Sequence, residues 1–262
     1  MELKYIDLHS HINLKPLKED EEGVVRRMVE HGVGTITIGV DLETSKEAIA
    51  LAEKYDFIWA GIGMHPTDNT SEVFDQDVYK KLAMHEKVVC VGECGLDYFR
   101  DQSKEAKERQ EKLFREHIEI AKAVNKPLMI HARPSRGSMD AYHDVLDILE
   151  SIKKEHPVIQ ANFHFFVGDI EVAKRILDLG FTVSFDGPIT FARDYDEVIK
   201  FLPLESIMIE TDAPFAAPVP YRGKTCEPYM ILEIAQKIAE IKNLPLEQTS
   251  ATLLKNAKIY IS

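Results

Sequence analysis

Val88-Val89-Cys90-Val91-Gly92-Glu93 is an apolar, largely β-branched run that closes on a carboxylate. Such a run reads as a buried strand, and a carboxylate at its end is costly unless it is paired or bound to metal. The same construction recurs along the chain. Asp7-Leu8-His9-Ser10-His11 follows Tyr5 and Ile6, His131 follows Leu128-Met129-Ile130, His164 follows Asn162-Phe163, and Asp212 follows Ile209-Glu210-Thr211. Each puts a metal-type ligand at the C-terminal end of a strand-like run, and the N-terminal ends carry nothing comparable.

Outward from these runs, eight strand candidates appear, near Tyr5–Leu8, Thr35–Val40, Phe57–Ile62, Val88–Gly92, Leu128–His131, Val158–His164, Thr182–Phe185 and Ile207–Thr211. Helical patterns alternate with them at Asp20–His31, Ser45–Lys54, Gln76–Met84, Lys104–Val124, Met139–Lys154, Ile170–Leu179 and Tyr195–Phe201. Two more follow, near Met230–Ile241 and Leu246–Ala257. Strict alternation predicts an α/β fold with a parallel sheet covered by helices. Eight repeats in 262 residues favour a (β/α)8 TIM barrel, about 250 residues in its usual form, over a doubly wound sheet. One barrel domain over residues 1–262 is expected, with no Gly/Ser-rich linker and no repeat to divide it. Thr44 and Glu47 have capping-box spacing, which places a helix start at Thr44.

Composition narrows the functional classes. A chain that is 45% hydrophobic can fill a large core. No apolar run approaches the roughly 18 residues that span a membrane, and Met1 to Tyr5 do not read as a secretory signal. Cys90, Cys94 and Cys226 have no recurrent spacing, so a reduced, cytoplasmic protein is expected. The net charge of −12 disfavours tight tracking of a nucleic-acid backbone. A phosphate at one local site is still allowed, because two divalent ions held by four neutral histidines and two carboxylates would make that site positive.

The candidate ligands are His9, His11, Glu93, His131, His164 and Asp212. His9 and His11 stand at i and i+2 of a strand, so both imidazoles can reach one ion. Asp7 shares their parity and can orient one of them. Glu93 has two oxygens and can bridge two ions. His131 and His164 close consecutive strands, which raises the odds of ligation over two isolated core histidines. Glu210 shares the parity of Asp212 and is a second supporting carboxylate. His65, in Gly63-Met64-His65-Pro66, follows the third strand and can meet substrate. Arg133 and Arg222 are loop cations suited to a phosphate; for Arg222 an ordinary surface ion pair is an equal alternative. Cys94 reads as packing. His31, His85, His117, His143 and His156 read as structural or surface residues. Tyr98, Phe99, Phe163, Phe165 and Phe166 either stack bases or fill the core.

Together these segments resemble the TatD-type metal-dependent deoxyribonucleases of the amidohydrolase-like barrel superfamily. The matching stretches are Asp7-Leu8-His9-Ser10-His11, Gly63-Met64-His65-Pro66, Gly92-Glu93-Cys94-Gly95-Leu96-Asp97-Tyr98, Ile130-His131-Ala132-Arg133, His164-Phe165-Phe166-Val167-Gly168 and Glu210-Thr211-Asp212-Ala213-Pro214. They occur in family order over nearly the whole chain. The resemblance implies one metal on His9, His11 and Asp212, another on His131 and His164, and Glu93 between them. It places His65 beside the substrate phosphate. It implies cleavage of phosphodiesters in DNA by a metal-activated water, usually with magnesium. The His and carboxylate ligands by themselves suit zinc, manganese, iron or nickel, while magnesium prefers oxygen-rich sites. Phe165-Phe166-Val167 and Cys226 depart from the family's usual Cys-Phe-Ser and Asn, which alters the pocket rim and leaves the ligands intact.

The expected roles are Asp212 as acceptor of the water's proton, and His65 and Arg133 as partners of the phosphate. Two other readings use the same residues. One is hydrolysis of a small ester, lactone or amide, since a fold does not fix the substrate. The other is a metal-binding barrel without enzymatic activity.

Overall fold

A computed structural model describes residues 1–67, 71 and 73–262. Eight parallel strands follow one another around a sheet in sequence order: β1 (Tyr5–Ser10), β2 (Val33–Ile38), β3 (Ile58–Ile62), β4 (Val88–Asp97), β5 (Leu128–Arg133), β6 (Ala161–Phe163), β7 (Thr182–Phe185) and β8 (Ile207–Ile209). The circle closes from β8 to β1 through a parallel bridge between Ser10 and Ala213. His11 N–H donates to Ala213 O at 2.7 Å and Asp212 N–H to His9 O at 2.9 Å across the same seam. This is the (β/α)8 barrel that the alternation predicts.

The helices are α1 (Glu21–His31), α2 (Leu42–Lys54), α3 (Gln76–Ala83), α4 (Lys104–Val124), α5 (Asp140–Glu155), α6 (Ile170–Asp178), α7 (Asp196–Phe201), α8 (Ile231–Lys242) and α9 (Leu246–Tyr260). The start of α2 lies earlier than its capping-box spacing suggests. Asp41 caps it, accepting from Thr44 N–H at 2.8 Å, while the Thr44 hydroxyl reaches back to Asp41 N–H. None of the described helices is long and apolar enough to cross a membrane.

Among the strand ends that differ from expectation, three bear most on the mouth of the barrel. β6 begins only at Ala161, because Pro157 and Val158 form a turn and Val158 is exposed. β8 stops at Ile209, so Asp212 stands beyond it with φ +52°. Aspartate tolerates that left-handed conformation better than most side chains. β4 continues five residues past Gly92. Its register against β5 shifts between Val91 and Cys94, and two glycines let the strands close up there. A Cβ on Gly92 (φ +145°) would lie 2.3 Å from Met129 O, and one on Gly95 (φ +139°) would lie 2.1 Å from His131 O. Only glycine fits either position.

Inside the barrel, side chains stack in layers. Ile6, Leu8, Ile36, Ile38, Cys90, Met129 and Met208 form an apolar floor, sealed from below by Ala257 and Tyr260 of α9. Above the floor on β6 to β8 lies a polar layer. Thr182 Oγ1 donates to Asn162 Oδ1 (2.9 Å), Asn162 Nδ2 donates to Ser184 Oγ (2.8 Å), and Ser184 Oγ donates to Glu210. Each donor is committed, so the chain of hydrogen bonds has one direction and ends on the carboxylate. That satisfies polar groups that would otherwise be costly to bury. The candidate ligands form the next layer, at the C-terminal mouth where barrel enzymes place their chemistry.

Candidate metal centre

Five of the expected ligands converge around the sixth, the buried carboxylate of Glu93. Glu93 Oε2 lies 3.4 Å from His9 Nε2 and 3.8 Å from His11 Nε2. Its other oxygen, Oε1, lies 2.7 Å from His131 Nδ1 and 2.9 Å from His164 Nε2. Asp212 Oδ1 completes the first group, 3.7 Å from His9 Nε2 and 3.5 Å from His11 Nε2. The side chains of His9, His11, Glu93 and His164 are almost wholly buried, and Asp212 is only 13% exposed.

The backbone explains why these groups point inward. Register shifts in both β1 (between Asp7 and Ser10) and β4 (between Val91 and Cys94) insert one extra residue. Each insertion reverses the inward parity. Ile6 and Leu8 therefore line the floor, yet His9 and His11 also face inward. Cys90 lines the floor, while Glu93 faces the site and Cys94 packs outward, buried in the apolar layer under the helices.

This corrects the reading of Asp7. It does not orient an imidazole. Its carboxylate accepts from Thr211 N–H at 2.9 Å and Thr211 Oγ1 at 2.6 Å, tying β1 to the end of β8 just before Asp212. Glu210 is in contact with the site, through His164: Nδ1 donates to Glu210 Oε1 at 3.2 Å, and Phe165 N–H donates to the same oxygen at 2.7 Å. One supporting carboxylate escaped the sequence reading. Asp97 Oδ2 accepts from His131 Nε2 at 3.1 Å. Its spacing of four from Glu93 along a strand was a usable signal, hidden because the strand was expected to stop at Gly92.

These partners set the tautomers. His11 Nδ1–H donates to Ile38 O at 3.0 Å, His164 Nδ1–H to Glu210 and His131 Nε2–H to Asp97, so each ring turns its other nitrogen toward Glu93. His9 Nδ1 is buried without a partner; its tautomer is left to whatever binds Nε2. His9 Nε2 and His11 Nε2 stand 3.1 Å apart. Two bare ring nitrogens at that distance repel unless a cation or proton lies between them. Groups of three donors recur within 4.8 Å of one another: His9, His11 and Glu93; His9, His164 and Asp212; Glu93, His131 and His164. Nitrogen and carboxylate donors in this number suit a divalent transition ion, and the residues present therefore fit a metal.

Charge in the cluster is shared. Burial alone would push the Glu93 carboxyl up, but His164, His65 and His131 outweigh it and hold it well below the usual carboxylate range. Burial likewise depresses His164, yet Glu93 and Glu210 raise it well above an ordinary imidazole. His131 is raised by Asp97 and Glu93 against the same burial, and His9 is lowered, chiefly by burial and by His164.

The mouth above is a cavity of about 540 Å³. His65 reaches it from the loop after β3. Its Nδ1 accepts from Thr67 N–H at 3.3 Å, which leaves the proton on Nε2, 3.6 Å from Glu93 Oε1. Arg133 lines the cavity too. Arg222 does not; it lies on the Phe191 ring, 4.0 Å from the centroid. Of the five aromatic candidates, Tyr98, Phe163 and Phe166 are core, Phe99 is exposed, and Phe165 lines the cavity. His117, read as structural or surface, is fully buried. It accepts from Met64 N–H at 2.9 Å beside His65.

A family model described as TatD related DNase matches residues 6–262. The chain belongs to the TatD family. It is 39% identical over 257 residues to the uncharacterized metal-dependent hydrolase YabD of Bacillus subtilis, covering 96% of each chain. It is 32% identical to YcfH of Escherichia coli K12, another uncharacterized metal-dependent hydrolase, over 96% of this chain and 93% of that one. Among solved structures, the TatD homologue YJJV of Escherichia coli superposes with a TM-score of 0.87 at 28% identity, over 100% of this chain and 99% of the other. This TatD protein is accordingly a metal-dependent hydrolase, with Glu93 at the middle of its metal-type cluster.

Proposed function

We propose that this TatD protein cleaves phosphodiester bonds in DNA, and that His9, His11 and Asp212 would hold one divalent ion and His131 and His164 a second, with Glu93 available to both. The observation that carries the reading is the division of that carboxylate, with one oxygen toward His9 and His11 and the other toward His131 and His164. Bound there, two ions would draw the pKa of a water toward about 7 and offset charge on the phosphate oxygens.

The chain's own groups would do the rest. Asp212, at the open side of the cluster, accepts the proton of the attacking water. His65 presents Nε2–H to the phosphate or to the leaving oxygen. Arg133, exposed on the rim, pairs with the phosphate. Glu210 and Asp97 keep His164 and His131 turned toward the centre. A second reading, hydrolysis of a small ester, lactone or amide, draws support from the cavity volume, which lies within the ordinary range for small ligands.

The test is a metal-reconstituted nuclease assay. Chelator-treated protein is given Mg, Mn, Zn or no metal and end-labelled single- or double-stranded DNA. Metal-dependent shortening that disappears in Glu93→Ala and Asp212→Ala supports the nuclease reading. Two ions bound per chain with no cleavage would refute it and favour the small-ester reading. Full activity in metal-stripped, refolded Glu93→Ala would sink the shared-carboxylate mechanism.

A further inference from the structure

Four phenylalanines in this chain are exposed: Phe99, Phe191, Phe201 and Phe215. Three of them stand at the C-terminal mouth, on the loops after β4, β7 and β8. Single exposed phenyl rings are ordinary; what sets these three apart is that they share the mouth that holds the candidate ligands, and that two of them carry a cation. Two carry an arginine on the ring. The Arg133 guanidinium lies 4.1 Å from the Phe99 centroid, and that of Arg222 lies 4.0 Å from the Phe191 centroid. In a chain with 44 acidic and 32 basic residues, neither guanidinium makes an ion pair among the described residues. Both lie over aromatic rings instead, with hydrogen-bonding capacity left for something else. The third ring, Phe215, lines the cavity and stands 6.3 Å from His11, ring centre to ring centre.

We propose that the two arginine–phenylalanine pairs and Phe215 are nucleotide subsites for a single-stranded polynucleotide whose scissile phosphate lies over Glu93. Each pair offers a cation for one backbone phosphate and a π-face for one base, the combination that recognises unpaired nucleic acid without reading its sequence. Phe215, nearest the ligands, stacks the base beside the scissile bond. The pairs occupy different parts of the rim: Phe99 follows β4 and Arg133 ends β5, whereas Phe191 follows β7 and Arg222 follows β8. A flexible strand can splay its bases onto both. Duplex bases have their faces covered by their neighbours and cannot. The subsites supply local affinity on a chain whose net charge of −12 opposes general backbone binding. This proposal rests on the nuclease reading.

The test compares a single-stranded oligonucleotide with an abasic strand of equal length, with manganese-loaded wild type, Phe99→Ala, Phe191→Ala and the double variant. Wild type is expected to show a KM for the base-bearing strand at least about fivefold below that for the abasic strand. Each single substitution is expected to raise KM for the base-bearing strand about five- to a hundredfold with a smaller change in kcat. The preference over the abasic strand should collapse in the double variant, and Phe99→Tyr should restore it at that position. Wild type that cleaves base-bearing and abasic strands with equal KM overturns the subsites and leaves the nuclease reading standing. Wild type that cleaves neither strand overturns both.

Discussion

Acidification should destabilise this barrel through His117. The ring is fully buried, accepts from Met64 N–H at 2.9 Å and donates from Nδ1 to Leu113 O at 2.8 Å. Its Nε2 must therefore be bare, and a proton there would face the Met64 N–H donor. Burial pulls its pKa from 6.5 down to about 4. The unfolded chain then binds a proton between those values that the folded chain refuses, so the stabilisation is complete above about 6.5 and is lost as pH falls toward 4. At about 1.4 kcal/mol for each tenfold change, the loss is about 2 kcal/mol by pH 5 and about 3 kcal/mol by pH 4. The assay is urea unfolding of wild type and His117→Gln at several pH values from 7 to 4, with chelator present throughout. Other groups titrate in both proteins and cancel in the comparison. Wild-type stability should fall more steeply by those amounts. Parallel pH profiles for the two proteins would refute the account of a neutral ring held between two backbone groups.

Three further outcomes are expected. Glu210→Gln removes the charge that accepts from His164 Nδ1–H and Phe165 N–H, so metal affinity in chelator competition should fall about 10- to 100-fold; unchanged affinity would show that Glu210 does not hold His164. Gly95→Ala drives a Cβ to within 2.1 Å of His131 O, and its denaturation midpoint should report a loss of at least about 2 kcal/mol. Because His131 and His164 have raised pKa values in the metal-free protein, an incoming ion must displace protons. Affinity should rise with pH from 6 to 8, and calorimetry in buffers of different ionisation enthalpy should detect proton release.

The barrel was legible because hydrophobic period and strand-helix alternation are local properties, and the ligands because each interrupts an apolar run at its end. What stayed hidden depends on events that side-chain pattern does not record. Parity counting put Asp7 on the side of His9, but the register shift in β1 lies between Asp7 and Ser10 and turns Asp7 toward Thr211. Gly92 looked like a strand terminus, yet it is where β4 presses against Met129 before running on to Asp97. His117 has nothing in its neighbourhood to separate it from a surface histidine; its partner, Met64, is 53 residues away. Arg222 has the charge for a phosphate, and only three-dimensional placement shows that it also rests on Phe191.

The metal centre and the closure of the barrel use the same hydrogen bonds. Asp7 binds Thr211, Asp212 N–H binds His9 O, and His11 N–H binds Ala213 O, so the backbone atoms of His9, His11 and Asp212 are all part of the β1–β8 seam. On the far side, Glu210 is fixed by donors from β7 and from the residue after His164. A ligand set placed this way is held by the fold before any ion arrives, and removing the ions leaves the seam's hydrogen bonds in place. Chelation should then weaken thermal stability by the binding free energy alone, while the far-ultraviolet spectrum stays that of the folded barrel. Loss of the helical signal on chelation at 25 °C would mean that the ions, and not the seam, assemble the site.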